Sequence, residues 1–179
     1  MPASSPALYL GNETCFGNGI KAVFVKPFKP VERDSSTMFK HILVAVDGSE
    51  SNKVAVDTAV AMAKECGATL TALSVFDPGG YGNVAAVKEV ADEVDYMKQI
   101  CDNILEYVTA KATEAGIDFE TKIVAGNPAV KIVEATADYD LLVTGTLGRT
   151  GFSRIVMGSV AEKVVRLSNC PVLVCRNKV

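Results

Sequence analysis

The residues best suited to chemistry lie near the end of the chain. They are Gly145-Thr146-Leu147-Gly148-Arg149-Thr150-Gly151, then Phe152 to Met157, then Gly158-Ser159. Glycines let a backbone turn sharply and bring its N–H groups close to an anion. Asp140 to Thr144 reads as a short buried strand and Val160 to Leu167 as a helix, so the loop ends on a helix start. A helix start offers unpaired N–H donors and a partial positive charge. The Ser159 hydroxyl stands at the same place. Together these parts can hold a phosphate.

A second cluster, Asp47-Gly48-Ser49, closes the apolar run His41 to Val46. A carboxylate there can accept from a ribose hydroxyl or ligate a magnesium ion through oxygen. It can equally bond the backbone N–H groups of its own turn. Arg149 can pair with a phosphate or stay a solvated loop charge, and the same holds for Arg154.

The elements that position these clusters alternate. Strands are expected at 41–46, 69–76, 119–124, 141–144 and 172–174, and the continuous apolar run at 41–46 suits a parallel strand covered on both faces. Between them lie helical patterns. One starts after Ser49, with Ser49 as its expected cap, runs to about Glu65 and ends at Gly67. A long one spans about Val84 to Ala115, with a break near Asp95 permitted; Val87, Val90, Val94, Met97, Cys101, Ile104 and Val108 form its apolar stripe. A third begins at Asn127-Pro128, a cap followed by a first-turn proline. Alternation of this kind predicts an α/β fold with a doubly wound five-stranded parallel sheet.

The spacing Gly145-x2-Gly148-x9-Gly158-Ser159 resembles the signature of the ATP-binding branch of the universal stress protein family. Ile42 to Glu50 is similar to that family's opening strand and turn, and Pro171 to Cys175 to its last strand. The resemblance runs from about residue 38 to the C-terminus. It implies strand order 3-2-1-4-5, a Rossmann-like fold related to the adenine nucleotide α-hydrolases, and a crevice between the first and fourth strands. It further implies ATP with Mg2+, the metal at Asp47. Adenine and ribose contacts would come from Ala45, Asp47 and Val75. Phosphate contacts would come from Gly145, Thr146, Gly148, Arg149, Thr150, Gly151, Gly158, Ser159 and Val160. For Ala45 and Val75 plain core packing is the competing reading. Leu147 and Ala161 depart from the family pattern, each removing a hydrogen bond worth on the order of 1 kcal/mol. The family also implies a homodimer joined through the last strand, whose apolar edge at Val172 to Val174 needs covering, and an unidentified protein partner.

Bulk properties narrow the class. The 179 residues fit one domain of residues 38–179 with an extension, 1–37. A net charge of −3 without a basic cluster argues against nucleic acid. No apolar run is long enough for a membrane span, and Met1 to Ile20 lacks the features of a secretory signal. Five cysteines without a C-x-x-C pair argue against a disulfide framework or zinc site and fit a reducing cytoplasm. His41 is the single histidine, so a Ser–His–Asp triad is poorly supplied. Residues 1–37 carry proline and glycine punctuation. They read as loop or linker: either Ile20 to Val25 forms a strand that docks on the domain or pairs with another chain, or the segment is a disordered tail or an upstream extension of a domain that starts at Met38.

The functional reading is an ATP-binding regulatory protein, at most a weak ATPase. A slow ATP-cleaving enzyme of the α-hydrolase type is the alternative, yet its Ser-Gly-Gly loop is replaced by Asp47-Gly48-Ser49-Glu50. A nucleotide-free dimeric signalling module is the third. A phospho-receiver is poorly matched, since no aspartate follows the third strand.

Overall fold

The computed structural model of the chain describes residues 14–16, 20–22, 38–77, 90–146 and 157–176. Near the N-terminus, β1 (Thr14–Phe16) and β2 (Ile20–Ala22) pair antiparallel. The expected strand at Ile20 is present as far as Ala22, and residues 23–25 lie outside the described residues.

Five further strands build one parallel sheet. They are β3 (His41–Val46), β4 (Thr69–Phe76), β5 (Phe119–Ala125), β6 (Leu141–Gly145) and β7 (Val172–Cys175). Their order is β5-β4-β3-β6-β7. Counted from β3 this is 3-2-1-4-5, so the doubly wound arrangement read from the sequence is borne out.

The helices are α1 (Lys53–Cys66), α2 (Val90–Ala115), α3 (Pro128–Ala135) and α4 (Ser159–Leu167). Alternate strand residues point to opposite faces, and the two cores follow that rule. Ile42, Val44 and Val46 pack with Ala55, Val56 and Ala59 of α1 and with Leu105 and Val108 of α2. Leu43, Ala45 and Leu73 pack with Ile132 of α3 and with Val164 and Val165 of α4. Each fully buried Leu or Val removes apolar surface worth roughly 1.5–3 kcal/mol. Continuous apolar strands therefore belong in the middle of such a sandwich.

One helix boundary differs from expectation. Ser49 does not cap the first helix: a 3-10 turn, Glu50–Asn52, intervenes, so the residue before α1 is Asn52. The Ser49 hydroxyl donates to Asp47 instead. The long helix runs unbroken through Asp95, and its expected start at Val84 lies outside the described residues. The other signals held. Gly67 ends α1 in the left-handed region, with the Ala68 N–H donating to the Ala63 carbonyl at 2.9 Å. The Asn127 side chain accepts from the Val130 N–H at 3.3 Å ahead of Pro128.

Among the described residues no helix is long and apolar enough to cross a membrane.

Candidate functional site

The sheet is tied at one end and open at the other. At the N-terminal ends of β3 and β6, the Asp140 carboxylate accepts from the N–H groups of Lys40 and His41 at 2.8 and 3.0 Å. Pairing of β3 with β6 then runs only from Ile42↔Leu141 to Val44↔Val143. On the flanks pairing continues, β3 with β4 to Val46↔Ser74 and β6 with β7 to Gly145↔Cys175. The two central strands therefore part after Val44 and Val143. In an open α/β sheet this is the topological switch point, where ligand crevices form.

Asn52 supports the parted edge. It is buried, and its Nδ2 donates to the Ala45 carbonyl at 3.0 Å, one residue past the last β3–β6 pair. Its Oδ1 is buried without a partner among the described residues. Sequence reading missed Asn52. The available signal was an amide side chain at the start of an apolar helix, where a buried polar group needs a reason.

Asp47 follows β3 directly. Its Oδ1 accepts from the Ser49 N–H at 2.9 Å and from the Ser49 hydroxyl at 2.8 Å, and Ser51 Oγ lies 3.0 Å from Ser49 Oγ. This is the turn-closing reading of Asp47. Its Oδ2 takes no bond from another described residue, so one oxygen holds the turn while the other is available. Gly48 sits at φ +75, where a side chain is strained, and an added Cβ would meet Ile104 Cγ1 at 2.6 Å.

Across the crevice, Gly145 ends β6 and Thr146 turns away, its N–H donating to the Cys175 carbonyl at 3.0 Å. The Thr146 carbonyl then accepts from the Gly158 N–H at 2.8 Å. This bond draws the two ends of the glycine loop together and fixes the start of α4 beside the end of β6. It also engages the Gly158 N–H, which leaves the helix start itself, at Ser159 and Val160, as the donor end. Gly158 is the N-cap and makes no side-chain cap bond, and Ser159 and Val160 are exposed. A glycine cap offers no side-chain acceptor of its own to the first N–H groups of α4, which suits an anion. Gly148, Arg149, Thr150 and Gly151 lie outside the described residues.

Ala45 and Val75 share one sheet face. Both pack in the α3–α4 core, where Met157 also packs. Among the described residues no group of three or more His, Cys, Asp and Glu converges on one point. A metal here would be held by Asp47 together with oxygens of its ligand. A separate groove of about 610 Å3 opens on the α1–α2 face, where Ser49, Asn52, Lys53, Ile104 and Tyr107 line it. Ala45, Val75, Gly145 and Ser159 are not among its described lining residues.

A doubly wound parallel sheet that parts at its switch point, with a glycine-capped helix start across the gap, defines a Rossmann-like α/β protein. Residues 38–176 match the model of the universal stress protein family, and the chain belongs to that family. Universal stress protein MJ0531 of Methanocaldococcus jannaschii is 34% identical over 146 residues, covering 80% of this chain and 86% of that one. The solved structure of hypothetical protein MJ0577 superposes with a TM-score of 0.70 at 29% identity, covering 80% of this chain and 99% of that one. A universal stress protein solved in complex with cAMP superposes with a TM-score of 0.57 at 27% identity, covering 78% and 98%.

Proposed function

We propose that this chain is an ATP-binding regulatory protein. The observation that carries the reading is the parting of β3 and β6 after Val44↔Val143, with the glycine-capped start of α4 held across the gap by the Gly158–Thr146 bond. Adenine lies against Ala45 and Val75. The ribose, or a magnesium ion shared with the phosphates, takes Asp47 Oδ2. The phosphates take N–H groups of Ser159 and Val160 and of the loop from Gly148 through Arg149 and Thr150 to Gly151, which Gly145 and Thr146 introduce. The cAMP complex of a relative supports an adenine nucleotide as the class of ligand.

Binding rather than turnover is the activity. Phosphoryl transfer needs a positioned water and strong charge neutralisation, and the motif loop carries neither histidine nor glutamine. The chain acts as a homodimer through β7, with nucleotide biasing the dimer or its choice of protein partner.

The test is gentle purification, denaturation and chromatography of the released nucleotide. Stoichiometric ATP is expected. ADP or AMP would favour the slow hydrolase. An empty protein that also takes up no Mg-ATP by calorimetry would overturn the reading in favour of a nucleotide-free module.

A further inference from the structure

We propose that β2 of the N-terminal hairpin caps the outer edge of β7 within the same chain and there competes with a second copy. The inference rests on the homodimer reading above and adds to it the device that limits self-association.

The two edges of the sheet are built differently. Edge strand β5 exposes Glu120, Thr121 and Lys122, and Lys122 pairs with Glu120 at 2.8 Å. Charges of this kind protect an edge from pairing with another strand. Edge strand β7 is Val172-Leu173-Val174-Cys175, with no charge and all four residues buried. Both of its faces are covered, since Val172 and Val174 pack in the α4 core and Leu173 and Cys175 in the α1 core. Its inner edge pairs with β6. What remains is an outer main-chain edge without its own protection.

β2 approaches β7 to within 8 Å between Cα atoms. With both faces of β7 occupied by helices, that approach is to the outer edge. Among the described residues β2 has β1 as its only ladder partner. It therefore covers β7 without being built into the sheet. A two-stranded hairpin is marginal alone and gains by docking. A tethered cap meets its site at an effective concentration on the order of millimolar. At equal intrinsic affinity the tethered hairpin holds the edge against a micromolar second copy, so the dimer forms as the hairpin is displaced.

Analytical ultracentrifugation of three proteins tests this: the full chain, residues 38–179, and the full chain with Lys21→Pro, which places a proline in the middle of β2. The shortened form corresponds to the segment the family model matches, and relatives of that length fold. The shortened and Lys21→Pro forms are expected to self-associate at least tenfold more tightly than the full chain. Hydrogen exchange at Val172 to Cys175 is expected to be faster in dilute, monomeric Lys21→Pro protein than in the dilute full chain. Equal self-association of all three overturns the cap and leaves the homodimer standing. Absence of self-association in all three overturns the homodimer and the competition with it.

Discussion

Asp47 divides its labour between its two oxygens. Oδ1 holds the Ser49 N–H and hydroxyl, and the proposed site assigns Oδ2 to the ribose or the magnesium ion. Asp47→Ala is therefore expected to weaken Mg-ATP binding by tenfold or more and to abolish its sensitivity to chelation of Mg2+. Calorimetry with and without EDTA reads both, and unchanged affinity would remove the role assigned to Asp47. Gly158 has φ −63 and ψ 151, a conformation any residue adopts. Gly158→Val should thus fold, yet its side chain would crowd the start of α4 where phosphate must approach. The expected outcome is loss of ATP binding with little change in circular dichroism; a folded variant with full affinity would contradict it.

At the scale of elements, two glycines share a backbone region but differ in surroundings. Gly48 and Gly67 both have left-handed φ, at +75 and +61. Nothing lies within 4 Å of a Cβ built on Gly67, whereas one on Gly48 meets Ile104 of α2. Gly67→Ala should cost about 1–2 kcal/mol, the left-handed penalty alone. Gly48→Ala should cost clearly more, because the Ile104 side chain must also shift. Urea unfolding of the two variants decides it, and equal losses would mean that the contact of the β3–α1 turn with α2 carries no weight.

The α1–α2 packing also carries a titratable link. The Tyr107 hydroxyl donates to Asp57 Oδ1 at 2.8 Å. Burial, then that bond and the Asp57 charge, raise the Tyr107 pKa from 10.0 to about 12. Folding thus favours the protonated phenol. Its contribution is complete below pH about 10 and is lost as pH rises through about 12. The stability difference between wild type and Tyr107→Phe should be flat below pH about 10 and shrink above it. A difference that grew above pH about 10 would contradict the sign.

For the molecule as a whole, ligand binding and folding are linked. A nucleotide that binds only the folded chain stabilises it by about 2.7 kcal/mol at a hundred times its Kd. Mg-ATP is therefore expected to raise Tm by several degrees, in proportion to the logarithm of its concentration. An unshifted Tm at millimolar Mg-ATP would count against the nucleotide site.

Much of this molecule is legible along the chain because its signals are local. The 69–76 strand is read to the residue because a short, mostly apolar segment is bounded by Gly67 on one side and Asp77-Pro78-Gly79 on the other. Asn127-Pro128 and Gly67 mark helix ends through dihedral and capping preferences that act within a few residues. The 3-10 turn before α1 was not legible, because Asp47, Gly48 and Ser49 suit several local turn geometries and the buried Asn52 side chain, bonded to Ala45, fixes which one forms. The sequence by itself determined the β/α alternation, the two chemically able clusters and their family. Tertiary structure alone decided where β3 and β6 stop pairing, that Asn52 takes the Ala45 carbonyl, that Gly158 closes on Thr146, and that β2 comes to lie against β7. Each of these joins different elements or sets the end of a ladder, and such contacts depend on how whole elements pack.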